Sequence, residues 1–373
     1  MEPKIRFKGF EGEWKEEKLS DISSSIVSGK NIAHKGPFPL YGSTGIIGTT
    51  DKPYHEGPML LVARVGANAG FLQLVNEKCG VSDNTLIVKP KDLVSDNYLF
   101  QYFNFFKLNR FIYGSGQPLI TGGMLKKMLV RYGLKEEREI LIGYFTSLDS
   151  QISASTSRLA SLKQMKAASL QAMFPQEWET VPKIRFKGFE GEWKKVKADS
   201  IFKTFNEKNR PDLPVLSATQ DRGMVTRESI GYNIFHDTSN EATYKHILPG
   251  QFVIHLRSFQ GGFAHSEIEG IASPAYTIMD FKNKELYYDY YWRYVFMSKE
   301  FIKRLELITY GIRDGRSISY DEFKEMSFLV PSKEEQIKIA SYLRNLDHQI
   351  ILQTQRLEKL KQIKSACLDK MFV

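Results

Sequence analysis

The sequence has very few cysteines and no long hydrophobic run. Its 373 residues include two cysteines, Cys79 and Cys367, without CxxC spacing, which excludes a disulfide framework and the common zinc motifs. No apolar stretch reaches the roughly 18 residues that a membrane-spanning helix needs, and Met1–Lys8 has no apolar signal-peptide core. We therefore expect a cytoplasmic protein with reduced thiols, no membrane association and no bound metal.

Motifs for nucleotide and cofactor binding are also missing. A P-loop is excluded because Gly29 and Lys30 lack both the upstream glycine and the following hydroxyl residue. Gly42, Gly45 and Gly48 are spaced GxxGxxG, which favours a tight turn over a pyrophosphate cradle. The Asn/Asp-Pro-Pro-aromatic motif of amino-group methyltransferases does not occur. We predict no cofactor and no catalytic residue in this chain.

A weak nuclease pattern provides one competing hypothesis. Glu13–Lys15 and Glu192–Lys194 each read ExK, and Pro211 with Asp212 could supply the acidic partner of a metal-dependent cleavage site. Both ExK sequences lie in a duplicated segment, for which packing is the simpler explanation. The seven histidines show no zinc-like pairing.

The charge balance favours a polyanionic partner without requiring one. The net charge is +9 at pH 7, from 52 basic and 43 acidic residues. Residues 1–181 carry 22 basic and 18 acidic side chains, and residues 182–373 carry 30 and 25. The positive charge is therefore shared by the two halves of the chain, as a nucleic acid binder with two similar domains would show.

An internal duplication organises the chain. Pro3–Lys15 and Pro182–Lys194 are the same thirteen residues, PKIRFKGFEGEWK, and Lys135–Phe174 aligns with Lys333–Phe372. The offset grows from 179 to 198 residues between these two pairs, and the sequences in the middle of the two copies differ. The opening and closing segments of the two copies are alike, which indicates that they share one function. The sequences between them differ, which indicates that they have two different functions.

Both middles predict mixed α/β domains. Short β-branched and apolar runs separated by Gly, Asn and Asp predict strands, and these runs are Met59–Val65, Asn84–Pro90, Gln251–Arg257 and Tyr276–Phe281. An aromatic-rich stretch follows in each copy, at Asp96–Ile112 and Tyr287–Ile308, and each predicts one helix that packs on the sheet.

Each copy ends in a predicted long amphipathic helix of about 38 residues. Apolar residues recur at spacings of four and three, which is typical of a coiled-coil seam, and they are Leu141, Phe145, Leu148, Ile152, Leu159 and Leu162 in the first helix and Ile339, Leu343, Leu346, Ile350, Leu357 and Leu360 in the second. Polar residues interrupt both seams at the same positions. Ser332 with Glu335 predicts a capping box for the second helix, whereas the first has Leu134 in place of the serine.

Two copies of one unit associate most simply about a pseudo-two-fold axis, which makes the paired helices antiparallel. We therefore predict an α/β (α+β) fold with two mixed domains in an inverted pseudo-two-fold arrangement, joined by two long antiparallel coiled-coil helices. The predicted boundaries are 1–132 and 176–330 for the domains and 133–175 and 331–373 for the helices. Two inverted domains, held apart by rigid helices, match the geometry of dimeric DNA-binding proteins. Because the two domains differ in sequence, the predicted DNA target is bipartite and asymmetric.

The chain resembles the specificity subunit of type I restriction-modification systems. Gly114–Val130 and Ser327–Ile350 carry the clearest resemblance, which also includes Tyr244–Phe263 and Gly270–Ile278. The resemblance implies two target recognition domains that each read one half of a bipartite site in double-stranded DNA. It also implies a non-catalytic subunit whose helices set the spacer and recruit two methyltransferase (modification) subunits, with restriction and translocase subunits in the full complex.

Base readout needs side chains that match the donors and acceptors of base edges, and phosphate binding needs cations. On this basis we predict DNA contacts in polar loops, at Lys30, Ser43, Thr44, Arg64, Asn68, Gln117 and Lys126 in the first domain and at Lys208, Arg210, Gln220, Arg222, Arg227, Arg257, Gln260, Arg313 and Arg316 in the second.

Two alternatives to a partner-dependent specificity subunit remain open from the sequence. One is a free-standing sequence-specific DNA-binding regulator or anti-restriction module with the same fold. The other is an enzyme whose site the motifs above do not reveal.

Overall fold

The computed structural model describes residues 1–91, 93–111, 118–176, 179–219, 222–230, 238–255, 262–308 and 318–373. These residues form two compact units. Unit 1 comprises Met1–Ser157 with Gln353–Val373, and unit 2 comprises Arg158–Leu352. Across the described ranges, no helix combines the length and apolar character that crossing a membrane would require.

Unit 1 is built mainly from short strands followed by helices. Its elements are β1 (Lys15–Lys18), α1 (Leu19–Ile22), β2 (Ser23–Ser28), β3 (Phe38–Gly42), β4 (Gly45–Thr50), β5 (His55–Glu56), β6 (Met59–Ala63), β7 (Leu72–Val75), β8 (Lys78–Val81), β9 (Thr85–Pro90), α2 (Leu93–Phe106), a 3-10 helix (Leu108–Phe111), α3 (Gly122–Lys127), β10 (Leu129–Tyr132) and the first part of α4 (Lys135–Ala172).

The central sheet of unit 1 is buried on both faces. Its strand order is β2-β9-β6-β7, all antiparallel, and a second sheet has the order β4-β3-β8-β5 with β3 and β8 parallel. Leu60 and Val62 lie on the face that packs against α2 and α4, while Met59 and Leu61 alternate to the face that packs with the second sheet. This burial on both faces explains why β6 reads as a continuous apolar run.

Unit 2 follows the same order of elements with a different middle. Its elements are β11 (Lys194–Lys197), α5 (Ala198–Ile201), β12 (Phe202–Phe205), β13 (Leu216–Thr219), β14 (Gly223–Thr226), two 3-10 helices (Arg227–Ile230 and Thr238–Thr243), β15 (Lys245–Ile247), β16 (Phe252–Ile254), β17 (Phe263–His265), β18 (Gly270–Ala272), β19 (Thr277–Phe281), α6 (Asp289–Met297), α7 (Lys299–Ile308), α8 (Tyr320–Lys324), β20 (Ser327–Val330) and α9 (Lys333–Met371), of which the last part belongs to unit 1.

The main sheet of unit 2 has the antiparallel order β12-β19-β16-β17, and β13-β14 and β15-β18 form two-stranded sheets. The four predicted strands are present, two in each unit, as β6, β9, β16 and β19. Each is shorter than the apolar run that predicts it.

The single helix predicted for Tyr287–Ile308 is wrong, because α6 and α7 are separated at Ser298. The Ser298 Oγ accepts a hydrogen bond from Phe301 N at 3.2 Å, which starts a new helix at that position.

The long helices have the predicted lengths, 38 residues for α4 and 39 for α9. In unit 1 the first part of α4 packs antiparallel to the last part of α9. The partners on α9 move backwards along the chain as α4 advances. Tyr144 Oη lies 3.4 Å from Cys367 Sγ, and Asp149 Oδ1 accepts a hydrogen bond from Lys364 Nζ at 2.5 Å. Further along α4, Ser155 Oγ accepts a hydrogen bond from Gln353 Nε2 at 2.6 Å.

Unit 2 contains the equivalent antiparallel pair of helix segments. Lys166 Nζ lies 2.5 Å from Asp347 Oδ1, and Ser169 Oγ lies 3.3 Å from Tyr342 Oη. All twelve seam residues predicted above are buried or half-buried. The polar interruptions of the heptad pattern therefore have a structural reason, because each seam lysine pairs with an aspartate on the other helix.

The duplicated opening segment fastens the long helices to each unit. In unit 1 Arg6 Nε and Nη2 each donate at 2.8 Å to the Glu137 carboxylate in the first turn of α4, and Ile5 N donates to Lys370 O near the end of α9 at 3.0 Å. In unit 2 the same bonds join Arg185 to Glu335 and Ile184 N to Ala172 O. The identical thirteen residues thus repeat one structural clamp.

This clamp agrees with one sequence interpretation, packing of the ExK segments, and corrects another, the capping box. The tryptophans of both ExK sequences are buried, and Trp14 Nε1 donates to Glu137 at 3.1 Å, so this part of the frame is packing structure. The capping box at α9 is only half formed. The Ser332 Oγ accepts from Glu335 N at 3.3 Å, but the Glu335 carboxylate binds Arg185 instead of returning to the cap.

Candidate nucleic acid interface

Several loops of unit 1 meet at one end of its two sheets, which we call loop end 1 (residues 28–32, 42–47, 64–71, 82–84 and 118–120). Strands β2 and β6 finish at this end while β7 and β9 begin there, because neighbouring strands are antiparallel. Strand β3 also finishes there, since it runs parallel to β8 with Tyr41 opposite Val81. The topology therefore gathers loops that are far apart in the sequence.

Hydrogen bonds between these loops hold loop end 1 in place. Gly29 N donates to Thr85 O at 2.9 Å, and Gln73 Nε2 donates to Gly42 O at 2.8 Å. Arg64 N donates to Asn84 O at 2.9 Å and Arg64 O accepts from Ile120 N at 2.8 Å. The side chains that project from this end are therefore presented by a fixed backbone.

Five of the predicted contact residues lie at loop end 1. Lys30, Thr44 and Asn68 are exposed, while Ser43 and Arg64 are half-buried. Lys126 does not lie with them. It occupies the last turn of α3, next to Met128, whose carbonyl oxygen binds Leu19 N at the opposite end of β2.

Arg64 has an unsatisfied donor. Its Nε is buried and makes no hydrogen bond to any part of the chain that the structure describes. Leaving such a donor unpaired costs about 1–3 kcal/mol. Arginine is also the commonest side chain in guanine readout and a frequent phosphate ligand.

The corresponding end of unit 2, loop end 2, comprises residues 206–215, 222–227 and 273–276. Lys208 follows β12 and stands opposite Lys245 in an isolated antiparallel bridge. Lys245 Nζ donates to Tyr276 O at 2.6 Å. Burial lowers the pKa of Lys245, and the positive charge of Lys208 lowers it further. Two adjacent cations with this mutual repulsion favour an anionic ligand between or above them.

The β13–β14 hairpin contributes two more predicted residues to loop end 2. Arg222 is exposed, and its backbone N donates to Thr219 Oγ1 at 3.1 Å, which orders the turn. Arg227 is half-buried, donates through Nε to Ser217 Oγ at 3.3 Å and lies over the Tyr244 ring at 5.8 Å. Its Nη1 is buried without a hydrogen bond from the described residues. The guanidinium is thus oriented by the Ser217 hydroxyl and the Tyr244 ring.

Arg210 differs from the other predicted cations because its charge is already neutralised. Its guanidinium binds both carboxylate oxygens of Asp212 at 3.0 Å and lies 3.8 Å from Glu269. The hydrogen bond from Arg210 lowers the pKa of Asp212. Asp212 is therefore the partner of an arginine, and no group of acidic, histidine or cysteine side chains within the described ranges could hold a metal ion.

His246 ties the first residues of loop end 2 to the β15–β18 sheet. Its buried ring lies between two carboxylates, with Nδ1 3.3 Å from Glu207 and Nε2 2.8 Å from Glu269. The backbone repeats this connection, because His246 N donates to Glu207 O at 2.8 Å. Lys208, the next residue, is thereby held at a defined position.

Six predicted contact residues lie outside the described residues, namely Gln117, Gln220, Arg257, Gln260, Arg313 and Arg316. The structure also adds Lys245, which sequence reasoning missed because its run, YKHIL, reads as an ordinary strand. Only the pairing of β15 with β18 and the bridge to Lys208 bring it to this surface.

Comparison with known proteins agrees with this architecture. Residues 11–164 and 190–362 match the family of the type I restriction modification DNA specificity domain. The type I restriction enzyme EcoprrI specificity subunit of Escherichia coli is 23% identical over 172 residues, which are 44% of this chain and 42% of that protein. The alignment thus spans less than half the length of this curated relative.

Two solved structures share the fold. The type I restriction-modification S subunit of M. genitalium superposes over 100% of this chain and 99% of its own, with a TM-score of 0.69 and 14% identity. A chain from a structure of a type I R-M system covers 96% of this chain and 97% of its own, with a TM-score of 0.50 and 15% identity. Since the family matches both copies of the repeat and most of the chain, this protein belongs to the type I restriction modification DNA specificity domain family.

Proposed function

We propose that the chain is the DNA specificity subunit of a type I restriction-modification complex, and that loop end 1 and loop end 2 each read one half of a bipartite sequence in double-stranded DNA. The observation that carries the proposal is the contrast within each unit. Each unit combines a repeated clamp of ion pairs and antiparallel helix segments with a loop end whose residues differ between the units. Such a chain can present two readers on equivalent frames.

The chemistry of the loop ends supports duplex DNA as the ligand. Loop end 1 offers Lys30, Arg64 and Asn68, and loop end 2 offers Lys208 and Arg222. Cationic side chains bind phosphates, and Arg and Asn side chains hydrogen-bond to base edges in the major groove. Because the two sets differ, the proposed site is asymmetric.

The exposed faces of the long helices support partners in two equivalent positions. Met165 on α4 and Ile363 on α9 occupy matching positions of the repeat, and their side chains are 49% and 38% exposed. Ile184 and Ile5 also match and are 59% and 48% exposed. Exposed hydrophobic residues at matching positions of the two units fit two copies of one protein. We propose that these are the modification subunits, with the restriction and translocase subunits joining the full complex in the cytoplasm.

The proposed division of labour places recognition in residues 1–132 and 176–330 and places spacing and recruitment in residues 133–175 and 331–373. Catalysis belongs to the partners in this proposal.

The direct test is to co-express the chain with its modification subunits in a host without other methyltransferases and sequence the methylome. We expect a stable complex with two modification subunits and methylation at one bipartite, asymmetric sequence. Tight specific binding by the isolated chain, with no complex formed, would instead favour the free-standing regulator. Cleavage of DNA by the isolated chain with Mg²⁺ would overturn both readings.

A further inference from the structure

Loop end 1 carries exposed apolar side chains among its polar ones. Phe71 is 50% exposed, Ile46 is 63% exposed and Ile47 is 51% exposed. Single exposed hydrophobic residues are common on protein surfaces, but several at one functional end indicate a binding surface. Their position beside Ser43, Thr44, Arg64 and Asn68 needs a ligand with apolar as well as polar groups.

The backbone fixes where these side chains lie. Phe71 continues the β6–β7 ladder, since Ala63 N donates to Phe71 O at 2.8 Å, so Phe71 and Gln73 share one face of the strand. Gln73 Nε2 binds Gly42 O, and Gly42 begins the turn that leads to Ile46 and Ile47. Ile47 lies so close to Gly42 that a Cβ on that glycine would stand 2.8 Å from Ile47 Cδ1. The three apolar residues therefore belong to one local surface.

Polar and cationic groups border this surface. Asn68 O accepts from Phe71 N at 2.9 Å, so the Asn68 turn adjoins Phe71 directly. Arg64 lies in the same turn region and has a buried Nε without a partner among the described residues. A lipid surface or a second hydrophobic protein face would leave these donors unsatisfied. The floor of the DNA major groove supplies acceptors and, at thymine, one apolar group, the C5-methyl.

Loop end 2 provides an internal comparison. Within its described residues, 206–215, 222–227 and 273–276, no large hydrophobic side chain has comparable exposure, and Lys208 and Arg222 project there instead. The apolar surface is therefore a property of one reader and not of the shared frame.

We propose that loop end 1 recognises thymine through its C5-methyl group, with Phe71, Ile46 and Ile47 forming the apolar contact and Arg64 and Asn68 binding the adjacent polar edges. This inference rests on the proposed function, because it requires unit 1 to lie in the major groove of one half-site. It assigns the first half-site at least one thymine that is read by its methyl group.

The test measures binding of the full chain, assembled with its modification subunits, to duplexes that carry its methylated bipartite site. Deoxyuridine replaces each thymine of one half-site in turn and removes only the methyl group. We expect one replacement in one half-site to weaken binding about fourfold, the effect of exposing one buried methyl-sized group. In Phe71→Ala or Ile46→Ala the same replacement should have almost no further effect.

Leu74→Ala is the matched control, because Leu74 lies in the same strand, is 39% exposed and points to the opposite face from Phe71. This variant should keep the full response to deoxyuridine. An unchanged response to deoxyuridine in Phe71→Ala and Ile46→Ala, or a half-site that loses no affinity with any replacement, overturns the inference.

The proposed function has a separate readout in the same experiment. If Arg64→Ala weakens binding to one half-site while the apolar variants respond normally to deoxyuridine, the methyl contact is wrong and the DNA-reading role of unit 1 stands. If the assembled complex shows no sequence preference at all, the proposed function itself fails.

Discussion

Loop end 1 and loop end 2 differ far more than the frames that support them. Loop end 1 combines Arg64 and Asn68 with exposed apolar groups such as Phe71, whereas loop end 2 presents Lys208, which lies opposite Lys245 of β15. Below both, Arg6–Glu137 and Arg185–Glu335 repeat nearly the same bidentate geometry. The loop residues take no part in these ion pairs, so the loops can differ while the clamp contacts are kept. Three experiments would break or sharpen this contrast.

Breaking the clamp should have the largest effect and should be similar in the two units. Arg6→Ala leaves the Glu137 carboxylate, which is 1% exposed, without its guanidinium, and this should reduce the free energy of unfolding by about 3 kcal/mol. Arg185→Ala should do the same through Glu335. Urea denaturation followed by circular dichroism measures both.

Arg6→Lys is the control for the clamp, since it keeps the charge but loses the bidentate geometry, and it should fall between the wild type and Arg6→Ala. A loss below about 1 kcal/mol for both alanine variants would mean that they are ordinary surface pairs.

Changes at the loop ends should separate the two half-sites. Arg64→Ala should weaken binding to one half-site roughly tenfold, within the range of about 1–3 kcal/mol for a lost base contact, and leave the other half-site intact. Arg222→Ala should affect the opposite half-site. Arg210→Ala is the control, because the guanidinium already binds Asp212 and should matter little. Equal losses on cognate and random duplexes would reduce Arg64 to a phosphate contact.

Charge exchange across the helix seam should have the smallest effect. Lys364→Glu places two carboxylates together in unit 1 and should cost about 1 kcal/mol, because Lys364 and Asp149 are 17% and 35% exposed. Adding Asp149→Lys restores an opposite pair and should recover the loss in thermal denaturation. An unrecovered double variant would show that these positions act through packing.

The sequence was most informative where the structure is local and periodic. The heptad pattern predicted α4 and α9 to within a few residues, and the apolar runs predicted β6, β9, β16 and β19, because burial imposes these periods directly. The break at Ser298 was missed because the aromatic pattern continues across it.

Contacts between distant residues could not be predicted in the same way. Glu335 has the spacing of a capping box, yet it binds Arg185, 150 positions away, which no local pattern reveals. The charge of Arg210 predicts a DNA contact, and only the folded chain shows that Asp212 neutralises this charge. Phe71 is absent from the predicted DNA contacts, because those predictions rest on polar and charged side chains.

Unit 1 is built from two separate segments of the chain, and this affects the order in which the units fold during synthesis. Residues 158–352 form unit 2 as one continuous segment, whereas unit 1 needs Gln353–Val373 in addition to Met1–Ser157. Phe372 lies in the aromatic cluster of unit 1, 5.5 Å from Tyr98 and 5.6 Å from Phe145 between ring centres. On the ribosome, unit 2 can therefore fold before unit 1, although unit 1 contains the residues made first. The core of unit 1 stays incomplete until Gln353–Val373 have been synthesised.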